Sequence, residues 1–144
     1  MTTGVFEWLA DGRWTLERQF NNSKMPGLTG SGQAWFSPVA KATLAYEESG
    51  LLSTGGVFSK KYQFAADRDG ILVTHADPHN KGQSFQTLAL QPDENGTWSA
   101  RACNQCALDT YKSYWQFAKT WWRMHHVVSG PRKNYEIVTL FRRP

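Results

Sequence analysis

Polar and apolar residues alternate along short segments of this chain, beginning near its N-terminus. The first segment has two faces, with Trp14, Leu16, Arg18 and Phe20 on one and Thr15, Glu17 and Gln19 on the other. A period of two residues is typical of a half-buried β-strand, not of a helix. Comparable segments follow at residues 33–37, 41–47, 57–65, 70–75, 84–90, 97–102, 110–118, 120–128 and 135–141. The pattern therefore predicts about ten short strands.

Turn signals separate several of these segments, among them Arg68-Asp69-Gly70, Glu94-Asn95-Gly96 and Gly130-Pro131. Asn-Gly favours a hairpin because both residues tolerate positive φ. Short strands joined by tight turns predict a meander, and a meander of this size usually closes because closure removes exposed edges. We therefore expect residues 1–144 to form a single all-β domain. Its fold would be a closed antiparallel up-and-down barrel, with Phe6-Glu7-Trp8-Leu9 as a short helical cap.

The aromatic-rich stretch from Asp109 to His126 could be mistaken for an amphipathic helix. Aromatic content favours strands, and Tyr111, Ser113, Trp115 and Phe117 would then share one face. In the next strand the inner face is either Trp122, Met124 and His126 or Trp121, Arg123 and His125, since a slip of one residue exchanges the two sets. The pattern leaves this register open.

Two stretches are predicted to be loops that gate a cavity. Asn21 to Gly32 contains three glycines and a proline and is the longest irregular segment, and Asp77 to Gly82 contains an Asp-Pro pair. Aromatic residues make up 14% of the 144 residues, with seven Trp, five Tyr and eight Phe. This richness is consistent with a cavity walled by large rings.

The charge pattern and hydropathy limit the classes of partner that the protein is expected to bind. The net charge of +4 is scattered along the chain, without the basic run of a nucleic-acid-binding arm. No stretch approaches the roughly 18 apolar residues that span a bilayer. Met1-Thr2-Thr3-Gly4-Val5 lacks the start of a secretory signal. We expect a cytoplasmic protein, monomeric or homodimeric, whose partner is a small molecule and which neither binds nucleic acid nor inserts into membranes.

Several motifs resemble an uncharacterised lipocalin-like, or calycin-like, small β-barrel family. The most specific is the closing hairpin Val128-Ser129-Gly130-Pro131-Arg132-Lys133-Asn134-Tyr135 with the strand that ends in Phe141-Arg142-Arg143. Further matches follow the family's order, at Trp8, Gly12, Trp14, Gly32-Gln33-Ala34-Trp35-Phe36, Tyr46-Glu47-Glu48-Ser49-Gly50 and Cys106-Ala107-Leu108-Asp109-Thr110-Tyr111. Two positions depart from it, because Asn104 replaces a histidine and His125-His126 lies where a tryptophan is usual.

The resemblance implies a barrel with an interior cavity whose first and last strands are neighbours. In lipocalin-like barrels an early tryptophan closes the floor and an arginine from the last strand covers its ring. Here Trp14 and Arg143 match those two positions. The resemblance implies no activity, because a fold alone does not fix a function.

The leading hypothesis is that the cavity binds a small, largely apolar molecule with an acidic or polar group. Arg18 would capture an anion by paired hydrogen bonds, and a cavity histidine would orient the polar end. The candidate ligand-binding residues are Arg18, Trp35, Tyr46, Tyr62, Tyr111, Trp115, Trp122 and His126. Glu47 and Glu48 are adjacent, so they would point to opposite faces and could not form an acid/base pair.

Two alternatives stay open. The cavity could shape a flexible substrate as a cofactor-independent isomerase or cyclase, with His126, His125 or Tyr111 as candidate catalytic residues. It could also bind haem or a metal through His126, His125 or His75. His75-Ala76-Asp77-Pro78-His79 places three potential ligands at alternate positions, but its proline is more typical of a turn.

The sequence carries no strong cofactor or redox signature. Cys103-Asn104-Gln105-Cys106 is a single C-x-x-C pair, whereas zinc sites usually need two. We expect both thiols to be reduced and to lie at a bend between strands. We therefore expect no metal site and no cofactor.

Overall fold

The computed structural model describes residues 4–22, 24–68 and 70–144, except for the side chain of Cys106. Within these residues a short helix is followed by eleven strands and one 3-10 turn, Glu94–Gly96. The elements are α1 Val5–Ala10, β1 Arg13–Asn21, β2 Thr29–Ala40, β3 Thr43–Leu52, β4 Val57–Asp67, β5 Gly70–His75, β6 Ser84–Ala89, β7 Gln91–Pro92, β8 Trp98–Cys106, β9 Asp109–Phe117, β10 Trp121–Ser129 and β11 Asn134–Arg142. The all-β meander with an N-terminal helix is confirmed. The additional strand is the two-residue β7.

All strands form one antiparallel sheet in the order β6-β5-β4-β3-β2-β1-β11-β10-β9-β8-β7. The first and last strands are neighbours, with Leu16 opposite Phe141. Right-handed twist curls such a sheet into a barrel. The expected barrel is confirmed and is nearly closed: β6 and β8 pack against each other, without a backbone ladder between them in the described part of the chain.

The seam between β6 and β8 is closed by a side chain, and a β-bulge places it there. Val73 pairs with Gln86 and Thr74 with Ser84, so Phe85 is an extra residue in β6. The bulge breaks the alternation, and both Phe85 and Gln86 become buried. From this position Gln86 Nε2 donates to Asn104 Oδ1 at 3.0 Å and to Ser113 Oγ at 2.7 Å. Two hydrogen bonds thus replace a ladder.

One end of the barrel, which we call the floor, is covered by α1 and filled with rings. Trp122 and Phe141 stack with their centroids 3.6 Å apart and their planes 4° apart. Trp115 lies parallel to Trp122 at 6.4 Å. Arg143 lies over Trp14 at 3.8 Å from the ring centroid and donates to the carbonyl of Trp8 at 2.8 Å. The floor half of the interior is therefore a packed core.

The opposite end, which we call the mouth, carries the β1–β2, β3–β4, β5–β6, β8–β9 and β10–β11 connections. The first of these is shorter than the predicted loop Asn21 to Gly32, because β1 continues to Asn21 and β2 begins at Thr29. Gly32 lies inside β2 for a packing reason. A Cβ there would lie 2.1 Å from the carbonyl oxygen of Ser49 on β3. The glycine permits close approach of two strands rather than a turn.

Several predictions concern residues that the structure does not describe. Met1–Thr3, Ser23 in the β1–β2 connection and Asp69 in the β4–β5 turn lie outside the described residues. Among the described residues, no helix has the length and apolar character needed to cross a bilayer.

Candidate functional site

A cavity of about 310 Å³ lies between the floor core and the mouth. Strands β1, β3, β4, β10 and β11 supply its walls, since alternate residues of each strand face inward. Its lining combines apolar and polar side chains, namely Arg18, Phe20, Glu48, Phe58, Ser59, Lys60, Tyr62, Met124, His126, Ile137 and Thr139. The volume is at the lower end of the range for small-molecule sites.

A buried ion pair crosses the cavity between β1 and β3. Arg18 Nη1 and Nη2 donate to Glu48 Oε2 and Oε1 at 2.6 and 2.8 Å. Arg18 Nε donates to Thr139 Oγ1 at 2.8 Å, and the hydroxyl of Tyr46 donates to Glu48 Oε1 at 2.7 Å. The side chains of Arg18 and Glu48 are only 12% and 2% exposed. Burial and the Glu48 carboxylate both raise the pKa of Tyr46, which therefore remains a donor.

This ion pair corrects the role predicted for Arg18. Glu48 already takes the bidentate hydrogen bonds that would capture an anionic ligand, and its negative charge balances the guanidinium. Burial lowers the pKa of Arg18, but the hydrogen bond and charge of Glu48 outweigh burial, so the net shift is upward. Arg18 is thus a charged but neutralised group, with two of its five N–H bonds still available.

A chain of hydrogen bonds fixes the orientation and tautomer of His126. Trp115 Nε1, which can only donate, lies 2.8 Å from Gln86 Oε1. The amide nitrogen of Gln86 therefore donates to Ser113 Oγ. Ser113 Oγ lies 2.5 Å from His126 Nδ1, and donation by the Ser113 hydroxyl gives every atom in the chain a role. His126 Nδ1 consequently accepts, which places the ring hydrogen on Nε2.

His126 remains neutral well below physiological pH. Burial, the positive charge of Arg18 and the neighbouring His125 lower the pKa of His126 from 6.5 to about 4. No described residue forms a hydrogen bond with His126 Nε2, although the ring lines the cavity. His126 therefore presents an uncommitted N–H donor to the cavity.

Tyr62 is the second uncommitted donor. Its ring stacks on Phe85 with centroids 5.4 Å apart, and the ammonium of Lys60 lies 4.8 Å from its centroid. Burial, followed by the charge of Glu48, raises the pKa of Tyr62, so the hydroxyl keeps its proton. Among the described residues none forms a hydrogen bond with this hydroxyl, and Tyr62 lines the cavity.

The ammonium of Lys60 contacts both His75 and Asp77, so it takes the place of a metal ion that these two side chains could otherwise bind. Its nitrogen lies 2.7 Å from Asp77 Oδ2 and 3.0 Å from His75 Nδ1, while His79 is exposed. Burial and Lys60 lower the pKa of His75. Across the described residues, no three His, Cys, Asp or Glu side chains gather in a cluster that could hold a metal.

The structure distributes the predicted ligand-binding residues over three environments. Arg18, Tyr62 and His126 line the cavity. Tyr46, Trp115 and Trp122 face inward but are buried in the packed core. Tyr111 lies on the inner face of β9, 6.1 Å from Phe85 between centroids.

Two predicted site residues lie on the outer face, and both are corrections. Trp35 lies between the buried residues Ala34 and Phe36, so strand alternation directs it outward. His125 alternates with buried Met124 and His126, and its Nε2 is 3.6 Å from Glu136 Oε2. Trp35 cannot line the cavity, and His125 cannot act in it. The structure thereby resolves the register of β10 in favour of Trp122, Met124 and His126.

The sequence did not predict four polar residues at the cavity, Glu48, Ser59, Lys60 and Thr139. A signal existed for Glu48, because it shares the phase of Tyr46 and therefore had to face inward with it. Lys60 has the same relation to Tyr62 on β4. Their partners lie on strands distant in the chain, so the ion pairs themselves could not be inferred.

Both cysteines lie on β8, and Cys106 ends that strand at the turn into β9. Cys103 is exposed and forms no disulfide, whereas the side chain of Cys106 is outside the described residues. That both thiols are reduced stays a prediction.

The fold is shared with solved β-barrel structures. The S-type phycobiliprotein lyase CPES from Guillardia theta is 10% identical, with a TM-score of 0.69 over 96% of this chain and 90% of that chain. Rv2717c from M. tuberculosis is 9% identical, with a TM-score of 0.69 over 99% and 97%. The redesigned β-barrel mFAP1, bound to DFHBI, is 14% identical, with a TM-score of 0.54 over 96% and 98%.

Identities this low establish the lipocalin-like barrel fold alone. No curated protein matches the sequence. A family model does match, and it covers residues 10–143, from the end of α1 through the Arg143 that lies over Trp14. The chain therefore belongs to the family described as Family of unknown function (DUF6314).

Proposed function

We propose that the cavity binds a small, largely apolar molecule through a polar group that accepts hydrogen bonds. The observation that carries this proposal is the pair of uncommitted donors, the hydroxyl of Tyr62 and Nε2–H of His126. Both donors keep their hydrogen at neutral pH. Burial raises the pKa of the Tyr62 hydroxyl, so it does not ionise. Burial lowers the pKa of His126 to about 4, so the ring is neutral and carries a single hydrogen, on Nε2. A carbonyl or similar oxygen satisfies both donors.

The charges at the cavity favour an uncharged acceptor over a carboxylate. Glu48 neutralises Arg18, and Asp77 neutralises Lys60. A carboxylate would lose its hydration without gaining an unpaired cation, and burial of an uncompensated charge is costly. The free N–H bonds of Arg18 add further donors without changing this balance.

The rest of the lining supplies apolar surface. Phe20, Phe58, Met124 and Ile137 surround the polar groups. Burial of ligand surface against them contributes about 25 cal/mol per Å². The redesigned barrel mFAP1, which has a similar fold, was solved bound to DFHBI, so a barrel of this kind can hold a small molecule. We propose that the β1–β2 and β5–β6 connections gate entry at the mouth.

Fluorescence titration with prodan, an apolar naphthalene ketone, tests the proposal. Prodan binding should blue-shift its emission, and Tyr62→Phe should weaken it about three- to tenfold through loss of one hydrogen bond. Tyr114→Phe is the matched control, because Tyr114 lies on the outer face of β9. Absence of prodan binding, or equal affinity of all three proteins, would refute the proposed donors. Native mass spectrometry of protein from its own cells would identify the natural ligand.

A second candidate function uses the same donors for catalysis. Donors placed against the carbonyl of a bound substrate would stabilise the negative charge that develops there during isomerisation or cyclisation. His126 would be the main catalytic candidate, with Tyr111 farther along the inner face. We expect His126→Gln to slow conversion of a bound ketone substrate. An unchanged rate would leave binding as the function. Haem binding is less well supported, because the ring hydrogen on His126 Nε2 occupies the lone pair that iron needs.

A further inference from the structure

Apolar side chains are exposed at the tips of the mouth connections. Met25 lies in the β1–β2 connection, Leu51 and Val57 flank the β3–β4 turn, and Leu108 lies in the β8–β9 turn. Val57 and Leu108 are 77% and 74% exposed, and Leu51 and Met25 are also exposed. Water makes such exposure unfavourable, so several large apolar tips at one end point to a contact surface.

These tips follow one continuous arc around the mouth. The β3–β4 turn is joined to the start of β2 by a hydrogen bond from Ser53 N to Thr29 O at 2.8 Å. A shallow depression between Lys24 and the segment 130–135 joins the β1–β2 connection to the β10–β11 turn. A second depression joins that turn to Leu108. We call this arc, from the β3–β4 turn to the β8–β9 turn, the mouth rim.

The rim and its neighbouring β5–β6 connection are basic. Among their described residues the cations are Lys24, Lys81, Arg132 and Lys133. The acids are Asp77 and Asp109, and each is already paired with a lysine, Asp77 with Lys60 at 2.7 Å and Asp109 with Lys133 at 3.2 Å. Lys24, Lys81 and Arg132 therefore retain unbalanced positive charge.

The floor end is closer to charge balance. Its acids are Glu7, Asp11, Asp67, Asp93 and Glu94, and its cations are Arg13, Lys41, Arg68, Lys119, Arg142 and Arg143. At the mouth, by contrast, the unbalanced cations lie beside the exposed apolar tips. A surface that is both anionic and apolar beneath would therefore favour the mouth.

We propose that the mouth rim docks on the surface of an anionic lipid bilayer. Four apolar side chains on three separate loops, interspersed with cations, suit a fluid interface into which each loop enters independently. A protein partner would instead favour a contiguous apolar patch with a polar border. Each Lys or Arg near an anionic membrane surface contributes about 1 kcal/mol, so attachment should be reversible and salt-sensitive. This docking goes beyond the proposed ligand binding and does not depend on it.

Vesicle co-sedimentation tests the proposal with the intact protein. Vesicles of phosphatidylcholine containing about 30% phosphatidylglycerol should bind the protein at least tenfold more tightly than pure phosphatidylcholine, and high salt should release it. Leu108→Asp should reduce binding about fivefold or more. Val39→Asp is the matched control, because Val39 is 53% exposed but lies at the floor end of β2. Near-UV circular dichroism would verify that each variant is folded.

A paired charge test separates docking by the rim from general attraction of a basic protein. Lys24→Gln with Arg132→Gln should abolish most binding, whereas Lys41→Gln with Lys119→Gln, at the floor end, should leave it unchanged. Equal losses in the two pairs, or no preference for anionic vesicles, would overturn the proposal. So would binding to a protein but to no vesicle. Prodan titration in vesicle-free buffer reports the cavity separately, so failure of one proposal is distinguishable from failure of the other.

Discussion

Replacement of Glu48 by glutamine should strongly destabilise the barrel, because it leaves the buried guanidinium of Arg18 without a counter-charge. Arg18 cannot become neutral by losing a proton, and its side chain is only 12% exposed. Removal of one partner from a buried pair typically costs about 3–5 kcal/mol. Because Arg18 lines the cavity and is not fully buried, we expect a cost at the lower end of that range. We therefore expect a loss of about 3 kcal/mol in the free energy of unfolding.

Urea denaturation followed by tryptophan fluorescence measures this loss. With a urea m-value of about 2 kcal/mol per M, the midpoint should fall by roughly 1.5 M. Glu47→Gln is a control from the adjacent position, where Glu47 faces outward and lies 4.0 Å from Lys61. That exposed pair should contribute less than about 1 kcal/mol. Replacement of both partners, Arg18→Met with Glu48→Leu, should recover part of the loss. Similar small shifts for Glu47→Gln and Glu48→Gln would refute the reasoning.

Three further predictions concern other parts of the barrel. The folded-state pKa of His126, about 4, lies below the unfolded value of 6.5, so unfolded protein binds the proton first. The free energy of unfolding should therefore fall by about 3 kcal/mol between pH 6.5 and pH 4. In His126→Gln, urea denaturation should show a smaller fall over the same range. Parallel pH profiles of the two proteins would contradict this prediction. Arg143→Gln should lower thermal stability by about 1–2 kcal/mol through loss of its contacts with Trp14 and Trp8, whereas exposed Arg142→Gln should change it little. Gln86→Leu should speed amide hydrogen exchange in β6 and β8 but not in β2 and β3, and uniform exchange would refute the role of Gln86 at the seam.

The strands were predictable because each buries one face, and this requires apolar residues at every second position of the sequence. The phase of β1 follows from Trp14, and the phase of β9 follows from Trp115. The phase of β10 did not follow, because both faces of that strand carry aromatic or histidine residues. Trp35 shows the same limit, since a large ring can cover the outside of a barrel as well as its interior.

The candidate site was harder to predict, because its chemistry depends on pairs distant in the chain. Arg18 is thirty positions from Glu48, and nothing in either local pattern reveals their contact. Gln86 is a second case, because a bulge rotates it into the seam and only the structure shows the extra residue in β6. Gly32 is a third, because a glycine that allows close strand contact has the same sequence appearance as one in a loop.

The packed rings of the floor have a consequence for how ligand size could change within this architecture. At the floor ends of β9, β10 and β11, the side chains of Trp115, Trp122 and Phe141 lie beneath the polar groups of the cavity. Exchange of Trp122 and Phe141 for small side chains would deepen the chamber without altering a strand, a loop or the donors above, whereas Trp115 also holds Gln86 in the chain of hydrogen bonds to His126. Chamber depth, and with it the longest molecule accommodated, is thus adjustable by a few substitutions at positions that never meet solvent.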